Sequence, residues 1–139
     1  MALIGRLHPV LVHFPIALVI LAAFAEGVAI LARESRWHFV AIVNIRAGAF
    51  FAVVTTLAGW LLARTPSIEP TPLLTWHRWL GTMGATLAVV VALASGIASG
   101  ASARKIRVFR IVMFATAALV AVTGHLGGLM VWGTDWFHF

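Results

Sequence analysis

Four long apolar stretches, separated by short polar segments, dominate the pattern of the chain. They run from about Val10 to Leu31, from Ile45 to Ala63, from Trp76 to Ser99 and from Val108 to Trp132. Each has the roughly 20 residues that a helix needs to cross the hydrocarbon layer of a bilayer. None alternates between apolar and polar residues as the strands of a membrane barrel do. The pattern therefore predicts four transmembrane helices.

The polar segments between these stretches are short. They cover residues 33–36, 64–72 and 102–107, and the second contains three prolines, which forbid a continuing helix. Successive helices that are joined by short loops pack in antiparallel fashion. We therefore expect an all-α integral membrane protein, a four-transmembrane-helix antiparallel up-down bundle that forms a single domain over residues 1–139.

Composition narrows the class of protein. Hydrophobic residues make up 62% of the chain and charged residues 10%. In a soluble domain the hydrophobic fraction is nearer one half and the charged fraction nearer one quarter. A water-soluble fold of this size could not bury so much apolar surface, so lipid must cover it. This excludes a soluble enzyme, a disordered tail and a nucleic-acid module.

The positive charges predict an orientation. Of the ten Lys and Arg residues, seven lie in or beside the first and third loops and three lie on the opposite side. Loops that are rich in Lys and Arg stay in the cytoplasm. We therefore expect a multi-pass protein of the bacterial inner (cytoplasmic) membrane with both termini in the periplasm.

Four of the six histidines are predicted to lie at one end of this bundle. His8 and His13 begin the first stretch, His77 begins the third, and His125 lies near the end of the fourth. Ionisable groups inside a span are costly and usually functional, and neutral imidazole is the commonest metal ligand. Cysteine is absent, which excludes thiolate sites and covalently attached haem. The four histidines are therefore candidate metal ligands, and facing helices of a bundle can hold a haem iron between two imidazoles.

Three kinds of residue around the histidines suit a haem. Glycines let helix backbones recede and open a flat slot, cations bind the propionates, and tryptophans pack beside the macrocycle. The candidates are Gly81, Gly84, Gly124, Gly127 and Gly128, then Arg6 and Arg78, then Trp76, Trp79, Trp132 and Trp136. The alternative is that the glycines only permit close helix packing and that the tryptophans form an interfacial belt.

The pairing of the histidines stays open. His13 and His125 lie at matching depths, roughly 8–10 Å below the membrane boundary, and we prefer them as ligands if there is one haem. His8 and His77 would form the second pair. His8 and His13 point roughly 140° apart on one helix, so either they serve two haems or one ligates while the other orients or carries protons.

Glu26 is the one acidic residue inside a predicted span, and it lies toward the opposite boundary. We expect it to pair with Arg46 or Arg110, with a role in proton or quinone chemistry as the alternative. His38 and His138 are interpreted as interfacial residues.

Three strings resemble a known family. Residues 8–18, His-Pro-Val-Leu-Val-His-Phe-Pro-Ile-Ala-Leu, resemble the opening signature of the bacterial membrane family catalogued as domain of unknown function 2231. Residues 77–81, His-Arg-Trp-Leu-Gly, and residues 124–129, Gly-His-Leu-Gly-Gly-Leu, resemble its later motifs. The resemblance implies a small four-helix membrane protein of b-type cytochrome character, with the four histidines at the motif positions. Residues 77–81 are also similar to the haem-ligand helices of di-haem membrane cytochromes b.

Together these features predict a membrane electron-transfer protein, a subunit rather than a stand-alone catalyst. One or two b haems would be bound by bis-histidine ligation near the periplasmic face. The expected partners are the lipid bilayer, a larger respiratory or quinol-linked redox complex or a second copy of the chain, and a periplasmic carrier or quinol, but not nucleic acid. The alternatives are a copper-binding or assembly membrane protein and a structural subunit without cofactor.

Overall fold

The computed structural model describes residues 5–96 and 102–133, which contain helices and turns but no strand. The helices are α1 (His8–Leu11), α2 (His13–Ala32), α3 (Ser35–Leu62), α4 (Pro72–Ala94) and α5 (Ala103–Trp132). Val12 keeps helical dihedral angles between α1 and α2, so the two form one span. Four spans in this part of the chain are therefore long and apolar enough to cross a membrane, which confirms the predicted fold class.

Local residues set the helix boundaries. Pro72 occupies the first turn of α4, and Thr71 caps it, because the Leu74 N–H donates to the Thr71 Oγ1 at 3.1 Å. Helix α2 ends at Arg33, whose φ of 57° is left-handed, and α3 follows after Glu34. Since this connection is only two residues long, α2 and α3 must pack as an antiparallel pair.

The last three helices begin earlier than the apolar stretches predicted. Helix α3 starts nearly three turns before the second stretch, and α4 and α5 start about one turn and one and a half turns before the third and fourth. The first turns of α3 and α5 carry charged residues such as Arg36 and Arg107, which hydropathy assigns to loops. Arginine is a good helix former and its long side chain reaches water from a membrane boundary, so the helices continue. Helix α4 ends at Ala94, and the predicted boundary at Ser99 lies outside the described residues.

The helices form a four-membered ring. Helix α2 packs against α3 and α5, and α4 packs against the same two, so α2 and α4 are diagonal partners. Fully buried alanines such as Ala22, Ala41 and Ala88 let the backbones approach closely, and Ile45 and Met113 fill the centre.

Large apolar side chains cover the outside of the bundle. Leu31 is 86% exposed, Leu93 71%, Phe50 65% and Phe24 63%. Exposed apolar surface on this scale is not tolerated by a soluble monomer. The protein is a membrane protein whose helices present this surface to lipid.

The two helix pairs repeat each other. Four buried positions of α2 recur at constant spacing in α4 and at Ser95, which caps its end, and four buried positions of α3 recur at constant spacing in α5. The matched positions are Pro15/Gly84, Val19/Ala88, Ala22/Val91 and Glu26/Ser95 in the first case, and Ala41/Phe109, Ile45/Met113, Gly48/Thr116 and Ala52/Val120 in the second. We call residues 8–62 the first hairpin and residues 72–132 the second. Because matched helices are diagonal and run in the same direction, a pseudo-twofold axis along the bundle relates the hairpins.

Candidate functional site

Two imidazoles meet across the bundle where α1 and α4 begin. His8 is the first residue of α1, and His77 lies in the second turn of α4. Their ring centroids are 6.1 Å apart and their planes are at 84°. Since His8 and His77 are equivalent positions of the two hairpins, the pair straddles the pseudo-twofold axis. We call this the imidazole end of the bundle.

Each imidazole is fixed by the next transmembrane span along the chain, His8 by α3 and His77 by α5. The His8 Nδ1 donates to the Thr55 carbonyl oxygen at 2.9 Å, and the His77 Nδ1 donates to the Thr123 carbonyl oxygen at 3.0 Å. A carbonyl can only accept, so Nδ1 carries the proton in both rings and Nε2 keeps a free lone pair when the ring is neutral. Metal-ligating histidines show this same arrangement, in which the second nitrogen donates to a carbonyl or carboxylate.

Two glycines make room for the rings. Gly59 and Gly127 each lie one turn after the threonine whose carbonyl accepts the imidazole. A Cβ on Gly59 would lie 2.7 Å from the His8 Cε1, and a Cβ on Gly127 would lie 3.1 Å from the His77 Cε1. Any larger residue would therefore displace an imidazole. Gly127 was a predicted site residue, although for a macrocycle slot, whereas Gly59 was missed.

The other predicted glycines serve different purposes. A Cβ on Gly84 would meet the Val120 side chain at 3.5 Å, and one on Gly124 would meet Ile16 at 3.0 Å. Gly81 faces Thr123 in the same way, so these three permit close helix packing. Gly128 has nothing within 4 Å of the Cβ position.

Arg78, beside His77 in the sequence, presents an unsatisfied donor. Its guanidinium carbon lies 3.8 Å from the centroid of the Trp60 ring, and Trp60 is held by a hydrogen bond from its Nε1 to the Thr82 Oγ1 at 3.0 Å. The Arg78 Nε is buried and has no hydrogen-bond partner among the described residues. A buried donor of this kind suits an acceptor from a bound group.

His13 and His125 lie elsewhere. Both are exposed on the outer surface of the bundle, and the His13 Nδ1 lies 3.3 Å from the Val10 carbonyl oxygen of its own helix. When His8 points to the axis, the angle of roughly 140° between them turns His13 outward. The structure therefore brings together His8 and His77 rather than the pair that we preferred from depth.

The remaining predicted positions are peripheral. Trp76, Trp79 and Trp132 are 61–65% exposed, as in an interfacial belt, and Arg6 is exposed. Trp136 and His138 lie outside the described residues. Within residues 5–96 and 102–133, no group of three or more His, Cys, Asp or Glu is placed to hold a metal ion.

A buried carboxylate marks the opposite end of the bundle, which we call the carboxylate end. Glu26 is fully buried, and its Oε1 accepts from the Arg110 Nε at 2.8 Å, which confirms that predicted partner. Its Oε2 accepts from the His38 Nδ1 at 2.6 Å, so the interpretation of His38 as merely interfacial was wrong. Arg46 instead donates from Nε to the Ser95 Oγ at 3.1 Å.

Comparison with known proteins gives one match. No curated protein and no solved structure matches the chain significantly. The family model DUF2231, described as a predicted membrane protein, matches residues 6–136. This range includes both hairpins and both imidazoles of the pair. The chain therefore belongs to the DUF2231 family of predicted membrane proteins.

Proposed function

We propose that this protein is a membrane electron-transfer protein in which His8 and His77 hold one b-type haem by bis-imidazole ligation. The observation that carries the proposal is the opposed pair itself, in which each ring is locked by a backbone carbonyl. Imidazoles that met only for packing could hydrogen-bond to each other. Instead, both Nδ1 atoms donate to carbonyls, and neither Nε2 has a hydrogen-bond partner among the described residues.

The separation of the rings supports a shared metal ion. Metal–imidazole bonds are about 2.0–2.1 Å long, so two rings bound to one ion through Nε2 have centroids about 6.3 Å apart. The observed separation between the His8 and His77 centroids is 6.1 Å. The spacing of the two rings is therefore close to the spacing that a shared ion requires.

Two protein ligands favour haem over a bare ion. A bare copper or zinc ion usually takes three or four protein donors, whereas haem, whose porphyrin supplies most of the iron's donors, could be held by two imidazoles. Arg78 adds a buried donor without a partner beside one of these ligands, and a propionate carboxylate suits it. These residues fit the group on both counts.

The chain's own residues would set the chemistry. Bound haem would supply a one-electron iron couple. His8 and His77 would hold the iron between them, and iron held by two protein imidazoles would favour electron transfer over substrate binding. The Thr55 and Thr123 carbonyls would keep both rings in the ligating tautomer, and Arg78 would donate to a propionate.

The orientation of the protein in the membrane is part of the same proposal. The excess of Lys and Arg in the loops at the carboxylate end supports an orientation with the imidazole end outward, toward the periplasm of a bacterial inner membrane. Electrons would then pass between the haem and a quinol, a periplasmic carrier or a neighbouring subunit of a redox complex.

Visible spectroscopy of the full chain tests this assignment. The protein would be purified from cells supplied with a haem precursor, and reduced-minus-oxidised spectra would be recorded with four single variants. We expect a b-type spectrum that is lost in His8→Ala and in His77→Ala. His13→Ala and His125→Ala are the matched controls and should keep it.

Two results would overturn the proposal. A colourless wild-type protein from haem-replete cells would exclude haem, and elemental analysis would then show whether a bare metal ion is bound. A spectrum that survives loss of His8 and His77 but disappears with His13 or His125 would show that the other pair ligates.

A further inference from the structure

The structure points to a second binding site at the carboxylate end: we propose that a pocket there binds the phosphate group of an anionic phospholipid. The pocket has a volume of about 500 Å³ and lies between the end of α2, the start of α3 and the start of α5. It is independent of any haem, since it lies at the other end of the bundle.

Two guanidinium groups supply the donors. Arg33 and Arg110 both line the pocket. Glu26 fixes Arg110 through its Nε, and in the part of the chain that the structure describes no other hydrogen bond uses the terminal nitrogens of Arg110. Arg33 has no hydrogen bond or ion pair within the same residues. Guanidinium groups bind phosphate oxygens with paired hydrogen bonds.

The backbone of Arg33 strengthens the argument. Its φ of 57° is the one positive φ of a non-glycine residue in the described ranges. Helices usually end this way at glycine or asparagine, and the left-handed conformation costs other residues on the order of 1 kcal/mol. Glycine would end α2 without that cost, whereas arginine at this position adds a guanidinium group to the pocket.

The pocket also has an apolar wall, beside the polar lining residues Ser35 and His38, and this wall distinguishes a lipid from a free ion. Ile30, Ile106 and Phe109 line the same pocket, beside the two arginines. An acyl chain can lie along such a wall while the phosphate contacts the guanidinium groups, and inorganic phosphate would gain nothing from it. Basic pockets between transmembrane helices bind anionic head groups in this way.

The charge around the pocket is positive. Glu34 also lines it, but its carboxylate is paired with Arg36, and the Glu26 charge is matched by Arg110. The first turns of α5 add exposed Arg104, Lys105 and Arg107. Anionic lipids are therefore drawn toward this end, at about 1 kcal/mol per cation near the surface.

Lipid titration of the delipidated full chain tests the proposal. Binding of phosphatidylglycerol and phosphatidylcholine would be measured by native mass spectrometry for the wild type, Arg33→Gln and Arg107→Gln. Arg107→Gln removes the same charge from the same end, but this side chain does not line the pocket. We expect preferential binding of phosphatidylglycerol, with a loss of tenfold or more in Arg33→Gln, as for removal of a charge-assisted hydrogen bond. Arg107→Gln should lose no more than about fivefold.

Three results would contradict the proposal. Equal losses in the two variants would mean that lipid is attracted only by the general field of this end. Equal affinity for phosphatidylcholine would exclude a site for anionic lipid. Stabilisation against heat by inorganic phosphate, at the concentration at which phosphatidylglycerol acts, would assign the pocket to the free ion instead.

Discussion

The two ends of the bundle are built from matching positions of two hairpins, yet they differ in symmetry. At the imidazole end, each hairpin contributes a histidine, a threonine carbonyl and a glycine. At the carboxylate end, the first hairpin contributes Glu26 where the second has Ser95. The residue types that occur at matched positions of both hairpins therefore meet on the pseudo-twofold axis and form one central site. Residues that occur in only one hairpin build a site to one side.

The largest expected loss of stability is at the carboxylate end, where the two hairpins differ. Arg110→Ala leaves the fully buried Glu26 with His38 as its sole partner in the described chain. Because the Arg110 side chain is itself 36% exposed, the cost should be about 1.5–3 kcal/mol, as for a hydrogen bond to a charged group, and below that of a fully buried ion pair. Arg46→Ala removes a hydrogen bond to a neutral serine and should cost about 1 kcal/mol. The free energy of unfolding in detergent micelles measures both.

The matched variant Glu26→Gln with Arg110→Gln serves as a control. It removes both charges at once, so it should recover much of the stability that Arg110→Ala loses. If the two single arginine variants lose the same free energy of unfolding, the Glu26 side of the carboxylate end contributes no more to stability than the Ser95 side, which contradicts the asymmetry of this end.

A smaller effect tests the equivalence of the halves at the imidazole end. Gly59→Ala and Gly127→Ala each push a methyl group against an imidazole, and overpacking of this kind costs about 1–3 kcal/mol. The cost should be greater at Gly59, where the Cβ would lie 2.7 Å from the ring, than at Gly127, where it would lie 3.1 Å away. The free energy of unfolding and the amount of haem that each variant retains would measure this difference.

Gly128→Ala is the internal control for these variants. Its Cβ would meet nothing within 4 Å, so alanine should be neutral or slightly stabilising through its better helix propensity. If Gly128→Ala lost as much stability as Gly59→Ala, helix packing rather than space for an imidazole would be the reason that glycine is needed at these positions.

The sequence pattern predicts how deep each histidine lies in the membrane but not which way its side chain points around the helix. It identified the spans, their antiparallel order and the four histidines at one end. It could not tell that His8 and His77 face inward while His13 and His125 face outward. In a membrane the lipid-facing side is as apolar as the core, as exposed Phe24 illustrates, so hydrophobic periodicity does not mark the inner face.

The partners of the imidazoles were missed for a second reason. A carbonyl carries no sequence signal, because every residue has one. The signal that was available is the repeated spacing of Thr55 with Gly59 and of Thr123 with Gly127, one in each hairpin. Other matched positions also share a residue type, among them Leu18/Leu87, Gly27/Gly96 and Leu61/Leu129, so a comparison of the chain with itself could have found the repeat.

The smallest expected effect is that of removing the threonine hydroxyls, because only the threonine carbonyls hold the imidazoles. Thr55→Val and Thr123→Val keep the carbonyls that hold the imidazoles and remove only the hydroxyls, which donate to the Leu11 and Leu119 carbonyls. Hydrogen bonds inside membrane proteins contribute about 0.6 kcal/mol on average. Haem content should therefore be unchanged, and loss of the b-type spectrum in either variant would show that the side chain matters.

The count of haem per chain tests the central claim most directly. A pyridine haemochrome assay with quantitative amino-acid analysis would be applied to the wild type and to the double variant His13→Ala/His125→Ala. A single centre on the pseudo-twofold axis predicts one haem per chain in both proteins. Two haems per chain, none, or a loss in the double variant would contradict it.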